Sequence, residues 1–166
     1  MGLFLLMLRV PLATAHRAIA VKNLLARDYR LGNYAYEAAR LHITLFNLGH
    51  EMSAVRAAWI ERTAVSIATP AFEIEFNRVA SWPDALVLLG ENRPTLIAFR
   101  RELGTALKLR SSGFTPHITL MRGPTAVEEQ QIEALRWTVD DFAFVHSVDG
   151  RYVELGRWKL TPPAAS

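Results

Sequence analysis

The tetrapeptide His-Ile-Thr-Leu occurs twice in this chain, at 42–45 and again at 117–120, a separation of 117 − 42 = 75 positions. Each copy predicts a short buried strand. Side chains two apart share one face of a strand. His42 and Thr44 therefore point one way, and Ile43 and Leu45 the other. His117 and Thr119 repeat the arrangement against Ile118 and Leu120. A fold that presents both strands must carry two matched pairs of imidazole and hydroxyl. No other feature constrains the architecture or the chemistry as strongly.

Two such pairs suit a phosphate. The imidazole pKa lies near neutrality, so one ring can accept a proton while the other gives one. A neutral imidazole takes a proton from an attacking water, and an imidazolium protonates the departing oxygen. The hydroxyls of Thr44 and Thr119 can donate to non-bridging oxygens, where hydrogen bonds gain strength as charge builds. A cyclic phosphodiester fits this scheme, because water can attack opposite a ring oxygen. Neither a metal nor a covalent intermediate is needed. The residues alone leave two other readings open. A His-x-Thr on a strand also serves as ordinary structure, and a repeat of four common residues also arises by chance.

The chain has 166 residues, 51% hydrophobic and 21% charged, which predicts one ordinary globular domain with a substantial core. Its net charge of +3 is compatible with an anionic ligand such as an RNA end. There is no cysteine, which excludes disulfides, thiolate catalysis and cysteine-ligated zinc. The apolar start, Gly2 to Val10, reads as a first strand rather than a signal peptide. No basic residue precedes it, and Arg9 interrupts it, although Ala13-Thr14-Ala15 fits a cleavage pattern. Leu6 breaks the myristoylation pattern that starts at Gly2. No apolar run is long enough for a bilayer, so we expect a cytoplasmic protein with no membrane segment.

The pattern predicts a strand over Leu3–Val10, a helix from about Thr14 to Arg27, and a turn at Gly32-Asn33. The first motif strand runs from Leu41 to Phe46. Ser53 caps a helix that continues to Ala68. Phe72, Ile74 and Phe76 alternate with polar residues in a half-buried strand, and Ala85–Leu89 forms another. Pro94 opens a helix marked by Leu96, Phe99, Leu103 and Leu107, which Ser111-Ser112-Gly113 breaks before the second motif. Val127–Leu135 is expected as a short helix, and Trp137 with Val139 and Phe142–Val145 as a strand. Asp149-Gly150 predicts a hairpin into a last strand, Tyr152–Leu160. The sum is an α+β protein whose two halves look related in plan, with largely antiparallel sheets.

These residues resemble the 2H phosphoesterase superfamily, and most closely its RNA 2′,3′-cyclic phosphodiesterases, also called 2′-5′ RNA ligases. Arg40 to Leu45 with Leu48-Gly49 is similar to the first family signature. Phe114-Thr115-Pro116-His117-Ile118-Thr119-Leu120 is similar to the second. Phe72-Glu73-Ile74 leading to Val79-Ala80-Ser81, then Trp137-Thr138-Val139 and Gly156-Arg157-Trp158, match family segments between and after the motifs. The resemblance runs from about Arg40 to Leu160. It implies a bilobal fold over 1–166, with two sheets, helices outside and a central cleft. It also implies opening of a 2′,3′-cyclic phosphate to a 2′-phosphate without a cofactor or metal, and in some members reversible 2′-5′ joining of RNA ends. His42 and His117 carry over as catalytic residues, and Thr44 and Thr119 as substrate-binding ones. Asn47 departs from the pattern, replacing a bulkier apolar residue, and His50 stands where an acidic residue is common.

Further candidates carry competing readings. Arg122 is a phosphate ligand only if the strand ends or twists, because strict alternation turns it away from His117. Phe46 shares the expected face of His42 and can stack on a base, or else it packs at the cleft edge. Phe114 lines the cleft or braces the turn before Pro116. Arg100, Arg101, Lys108 and Arg110 guide an RNA backbone or form a solvated helix face. His16, His50 and His146 are read as structural or surface residues, and no pair of histidines has helical metal-ligand spacing. The expected partner is RNA or a nucleotide ending in a 2′,3′-cyclic phosphate, bound by a monomer. The alternatives are a 2′-5′ ligase or 2′-5′ phosphodiesterase of the same superfamily, and a non-catalytic RNA-end binding module.

Overall fold

A computed structural model describes residues 2–32, 37–91, 94–110 and 113–163. The elements in chain order are β1 (Leu3–Arg9), α1 (Leu12–Asp28), a 3-10 turn (Ala38–Arg40), β2 (His42–Gly49), α2 (Ala54–Val65), β3 (Phe72–Trp82), β4 (Ala85–Leu89), α3 (Pro94–Ala106), β5 (His117–Arg122), β6 (Gln130–Val139), β7 (Asp141–Val148) and β8 (Arg151–Lys159). They form two four-stranded sheets, ordered β2-β1-β7-β8 and β5-β4-β3-β6. Every pairing between these strands is antiparallel.

The apolar N-terminal run is an interior strand, β1, with Leu6 and Met7 fully buried between β2 and β7. Its burial on both faces explains why it reads as continuous hydrophobic sequence. The Ser53 hydroxyl caps α2 by accepting from the Arg56 amide at 3.1 Å. That helix stops at Val65, short of Ala68, where the Ser66 hydroxyl donates to the Thr63 carbonyl at 2.7 Å and closes the last turn. Pro94 is the first residue of α3. Asn33 and the pair Ser111-Ser112 lie outside the described residues.

No helix forms over Val127–Leu135: from Gln130 onward the segment belongs to β6. Leu135, Trp137 and Val139 are buried while Arg136 and Thr138 are exposed, the period of a strand. The three-residue step from Ile132 to Leu135 imitates a helical stripe. It is a shift in the register with β3, between Phe76 and Arg78. The single strand expected from Trp137 to Val145 is two, parted at Asp140.

Nor do the two sheets correspond to the two halves of the sequence. The C-terminal hairpin β7–β8 returns to complete the N-terminal sheet, whereas β4 and β6 flank β3 in the other. The helices cover the outer faces. Ala15 and Ala18 of α1, Ile60 and Ala64 of α2, and Phe99 and Leu103 of α3 join a core that contains Leu6 and Phe144 of one sheet and Phe76 and Leu88 of the other. The opposite faces carry two small apolar clusters of their own: Leu5, Met7, Ala143 and Val145 in the first sheet, and Ala80, Ala85 and Val87 in the second. These inner faces floor a cleft between two lobes. Edge strands β2 and β5 meet where the lobes join.

Candidate active site

Both His-Ile-Thr-Leu copies lie on those edge strands. Opposite β2, Arg9 faces His42 and Met7 faces Thr44. Opposite β5, Leu89 faces His117 and Val87 faces Thr119. Met7 and Val87 belong to the cleft-floor clusters, so each His-Thr pair stands on a cleft face. Ile43, Leu45, Ile118 and Leu120 point into the core.

The expected alternation then fails in both strands at the same residue. In β2 the register skips from Thr44 opposite Met7 to Phe46 opposite Leu6, leaving Leu45 as an extra residue. In β5 it skips from Thr119 opposite Val87 to Met121 opposite Leu86, leaving Leu120. Each motif leucine is thus a β-bulge, two residues set against one. Leu45 and Phe46 both enter the core, as do Leu120 and Met121. The next residue in each strand returns to the cleft.

This phase change decides two of the candidates. Arg122, paired with Ala85, shares the face of His117 and Thr119. Its guanidinium is mostly exposed, 3.9 Å from the Asp84 carboxylate, and its charge is felt by His42 across the cleft. Phe46 does not share the His42 face: it is buried, with its ring 4.4 Å from the Arg100 guanidinium. Phe114, half-buried, also has its ring 4.4 Å from that guanidinium and packs against the core. Arg100 itself is neither a solvated cation nor a backbone guide. Its Nε donates at 2.9 Å to the carbonyl of Leu45, the bulge residue.

The imidazoles are held alike. His42 Nδ1 lies 2.8 Å from the Arg40 carbonyl oxygen, and His117 Nδ1 lies 2.9 Å from that of Thr115. A carbonyl only accepts, so Nδ1 carries the hydrogen in each ring and Nε2 is left to the cleft. Burial lowers the His42 pKa below the ordinary 6.5. The hydrogen bond to Arg40 opposes this, and the charges of His117, Arg122 and Arg40 add to it.

Two aromatic residues that the sequence did not single out as site residues complete the surroundings. The Tyr152 hydroxyl lies 3.2 Å from His42 Nδ1, with its ring edge-on to the imidazole. Trp82 packs against His117 with ring centroids 4.5 Å apart. Each sits beside a turn, after Asp149-Gly150 and before Pro83-Asp84, and only the pairing of distant strands brings it to a histidine. The other histidines lie elsewhere. His146 stacks on Phe4 at 4.2 Å, and His50 bonds the Gly2 carbonyl at 2.6 Å. Among the described residues no group of three or more His, Asp or Glu is placed to hold a metal ion.

The 2′-5′ RNA ligase superfamily model matches residues 11–151. The chain belongs to the 2′-5′ RNA ligase superfamily, whose members are 2H phosphoesterases. Solved structures agree on the fold. A protein described as a phosphoesterase has a TM-score of 0.83 at 24% identity, over 96% of this chain and 98% of its own. LigT of E. coli in complex with 3′-AMP gives the same values, and the same protein has been crystallised with ATP. A Thermus thermophilus protein matches with a TM-score of 0.70 at 22% identity, over 96% of this chain and 98% of its own. No curated protein matches the chain. Among the described residues no helix is long and apolar enough to cross a membrane.

Proposed function

We propose that the protein is a metal-independent phosphodiesterase that opens 2′,3′-cyclic phosphate ends of RNA or nucleotides, leaving a 2′-phosphate. The observation that carries the reading is the pair of His-x-Thr faces on adjoining edge strands, each imidazole with Nδ1 tied back and Nε2 left to the cleft. The cyclic phosphate sits between the two pairs. Thr44 and Thr119 donate to its non-bridging oxygens, and Arg122 adds a cation. One imidazole removes a proton from water as the oxygen attacks phosphorus. The bond from phosphorus to O3′ breaks, and the other imidazole, entering as imidazolium, protonates O3′. The same sequence with the 5′-hydroxyl of a second RNA in place of water joins the ends through a 2′-5′ bond, and its reverse, attack by O3′ with departure of the 5′-hydroxyl, restores the cyclic phosphate. Both motifs come from one chain, so the site needs no second copy. The whole of 1–166 works as one bilobal domain, each lobe holding half of the site.

Turnover of 2′,3′-cyclic nucleotides and of a cyclic-phosphate RNA, with the phosphate position of the product assigned by 31P NMR, tests the reading. Activity is expected to survive EDTA and to yield the 2′-phosphate. His42→Ala and His117→Ala are each expected to lose at least roughly a hundredfold in kcat, the usual scale of an acid or base, with unchanged far-UV circular dichroism. Chelator-sensitive activity, or full activity in either variant, rejects it.

A further inference from the structure

The matched bulges put one more residue of each motif strand on the cleft. Counting from the histidine, Arg122 is the fifth residue after His117, and Asn47 is the fifth after His42. Asn47 pairs with Leu5, a cleft-floor residue, and is exposed on the face of His42 and Thr44. The two strands are built alike, from the histidine tie through the bulge to this position. Arg122 reaches electrostatically across to the histidine of the other lobe. Asn47 holds the corresponding position on the other motif strand. One motif strand thus offers a cation at this position and the other a neutral amide.

The amide is also oriented. Its Oδ1 accepts the Gly49 amide at 2.9 Å, in a turn where Gly49 takes φ +89°, a conformation that favours glycine. This bond directs Nδ2 away from the backbone, and among the described residues Nδ2 has no hydrogen-bond partner. The position thus offers N–H donors without charge. A phosphate already served by two hydroxyls, two imidazoles and Arg122 gains little from it. A neutral acceptor on the nucleobase, a ring carbonyl, matches it better. We propose that Asn47 is a specificity-determining residue that donates a hydrogen bond to a carbonyl of the base carried by the cyclic phosphate. The inference rests on the proposed phosphodiesterase reading.

The test compares kcat and KM for the four 2′,3′-cyclic nucleotides in the wild type, Asn47→Ala and Asn47→Asp. Loss of one neutral hydrogen bond is expected to raise KM roughly three- to tenfold for the cytidine, uridine and guanosine substrates. The adenosine substrate, which has no carbonyl, changes less than about twofold, and kcat stays within about twofold throughout. Asn47→Asp replaces donors with acceptors and is expected to be worse than Asn47→Ala for the carbonyl-bearing bases. A loss of equal size for all four bases, or no loss, overturns the assignment of Asn47 while leaving the phosphodiesterase reading intact. Absence of wild-type turnover overturns that reading instead. The proposal then stands or falls on binding of 3′-CMP and 3′-AMP followed by NMR, where Asn47→Ala must weaken the first selectively.

Discussion

At the scale of single residues, the environment of His42 makes a prediction that needs no substrate. Its folded pKa lies below the ordinary 6.5, first because the ring is buried and then because positive groups face it. In the unfolded chain the ring titrates near 6.5. Between those two values the unfolded state binds more protons, so this residue's contribution to stability is present above pH 6.5 and is lost as pH falls through the folded pKa. Chemical denaturation in steps from pH 7.5 to roughly pH 4.5 is expected to show a fall that His42→Asn reduces. An identical slope in the variant contradicts the burial argument. A phosphate between the rings favours the charged imidazole, so inorganic phosphate is expected to raise the His42 pKa in an NMR titration. His117→Ala and Arg122→Ala are each expected to raise it in the free protein, since each removes a cation. That His42 shares a face with Thr44, and His117 with Thr119, was legible in the sequence because alternation fixes relative direction within three residues. The direction of Phe46 and Arg122 was not, because a bulge at Leu45 and another at Leu120 intervene. A bulge leaves no mark in the sequence when the extra residue is as apolar as its neighbours.

At the scale of elements, α3 does more than cover a sheet. Arg100 lies between the rings of Phe46 and Phe114, 4.4 Å from each, and donates to the carbonyl that the β2 bulge turns out of the ladder. Gly104, one turn further, gives the Phe46 ring its space: a Cβ there would lie 2.9 Å from the ring. A residue read as part of a basic run therefore acts as a clamp on the strand that bears the first motif. Removing it leaves the Leu45 carbonyl without this donor and the two rings without their cation. Arg100→Met is expected to lower stability by about 1–3 kcal/mol. Amide exchange should speed up in β2 more than in β5. Arg100→Lys should not restore the protein, because an ammonium cannot stack as a plane between two rings while donating sideways to a carbonyl. Equal protection of β2 in wild type and Arg100→Met would remove the clamp from the account. The misreading of β6 as helix has a related cause. Ile132 and Leu135 stand at helical spacing only because the strand slips register against β3, a partner more than fifty residues away in sequence.

At the scale of the molecule, the return of β7 and β8 to the first sheet governs how the chain can be cut. Read from the sequence, the two halves look related in plan, each with one motif following a helix. The topology says otherwise. β1 lies between β2 and β7, and Leu5, Leu6 and Met7 pair directly with Val145, Phe144 and Ala143. Phe142 and Phe144 are fully buried, and Phe142 packs against Phe99 of α3. A chain ending at residue 140 would expose one side of β1 and strip the cleft floor beneath His42 and Thr44. Such a truncation is expected to lose cooperative thermal unfolding altogether. The milder change Phe144→Ala should cost about 3–5 kcal/mol, the usual scale for emptying a buried phenylalanine site. Its effect on the site should be graded by lobe. NMR shifts of the His42 ring should move, because the core face of its own sheet is disturbed, while those of the His117 ring hold. Matching shifts at both rings would mean that the lobes answer as one rigid body. A truncated chain that still melts cooperatively would show that the first sheet does not need its C-terminal strands.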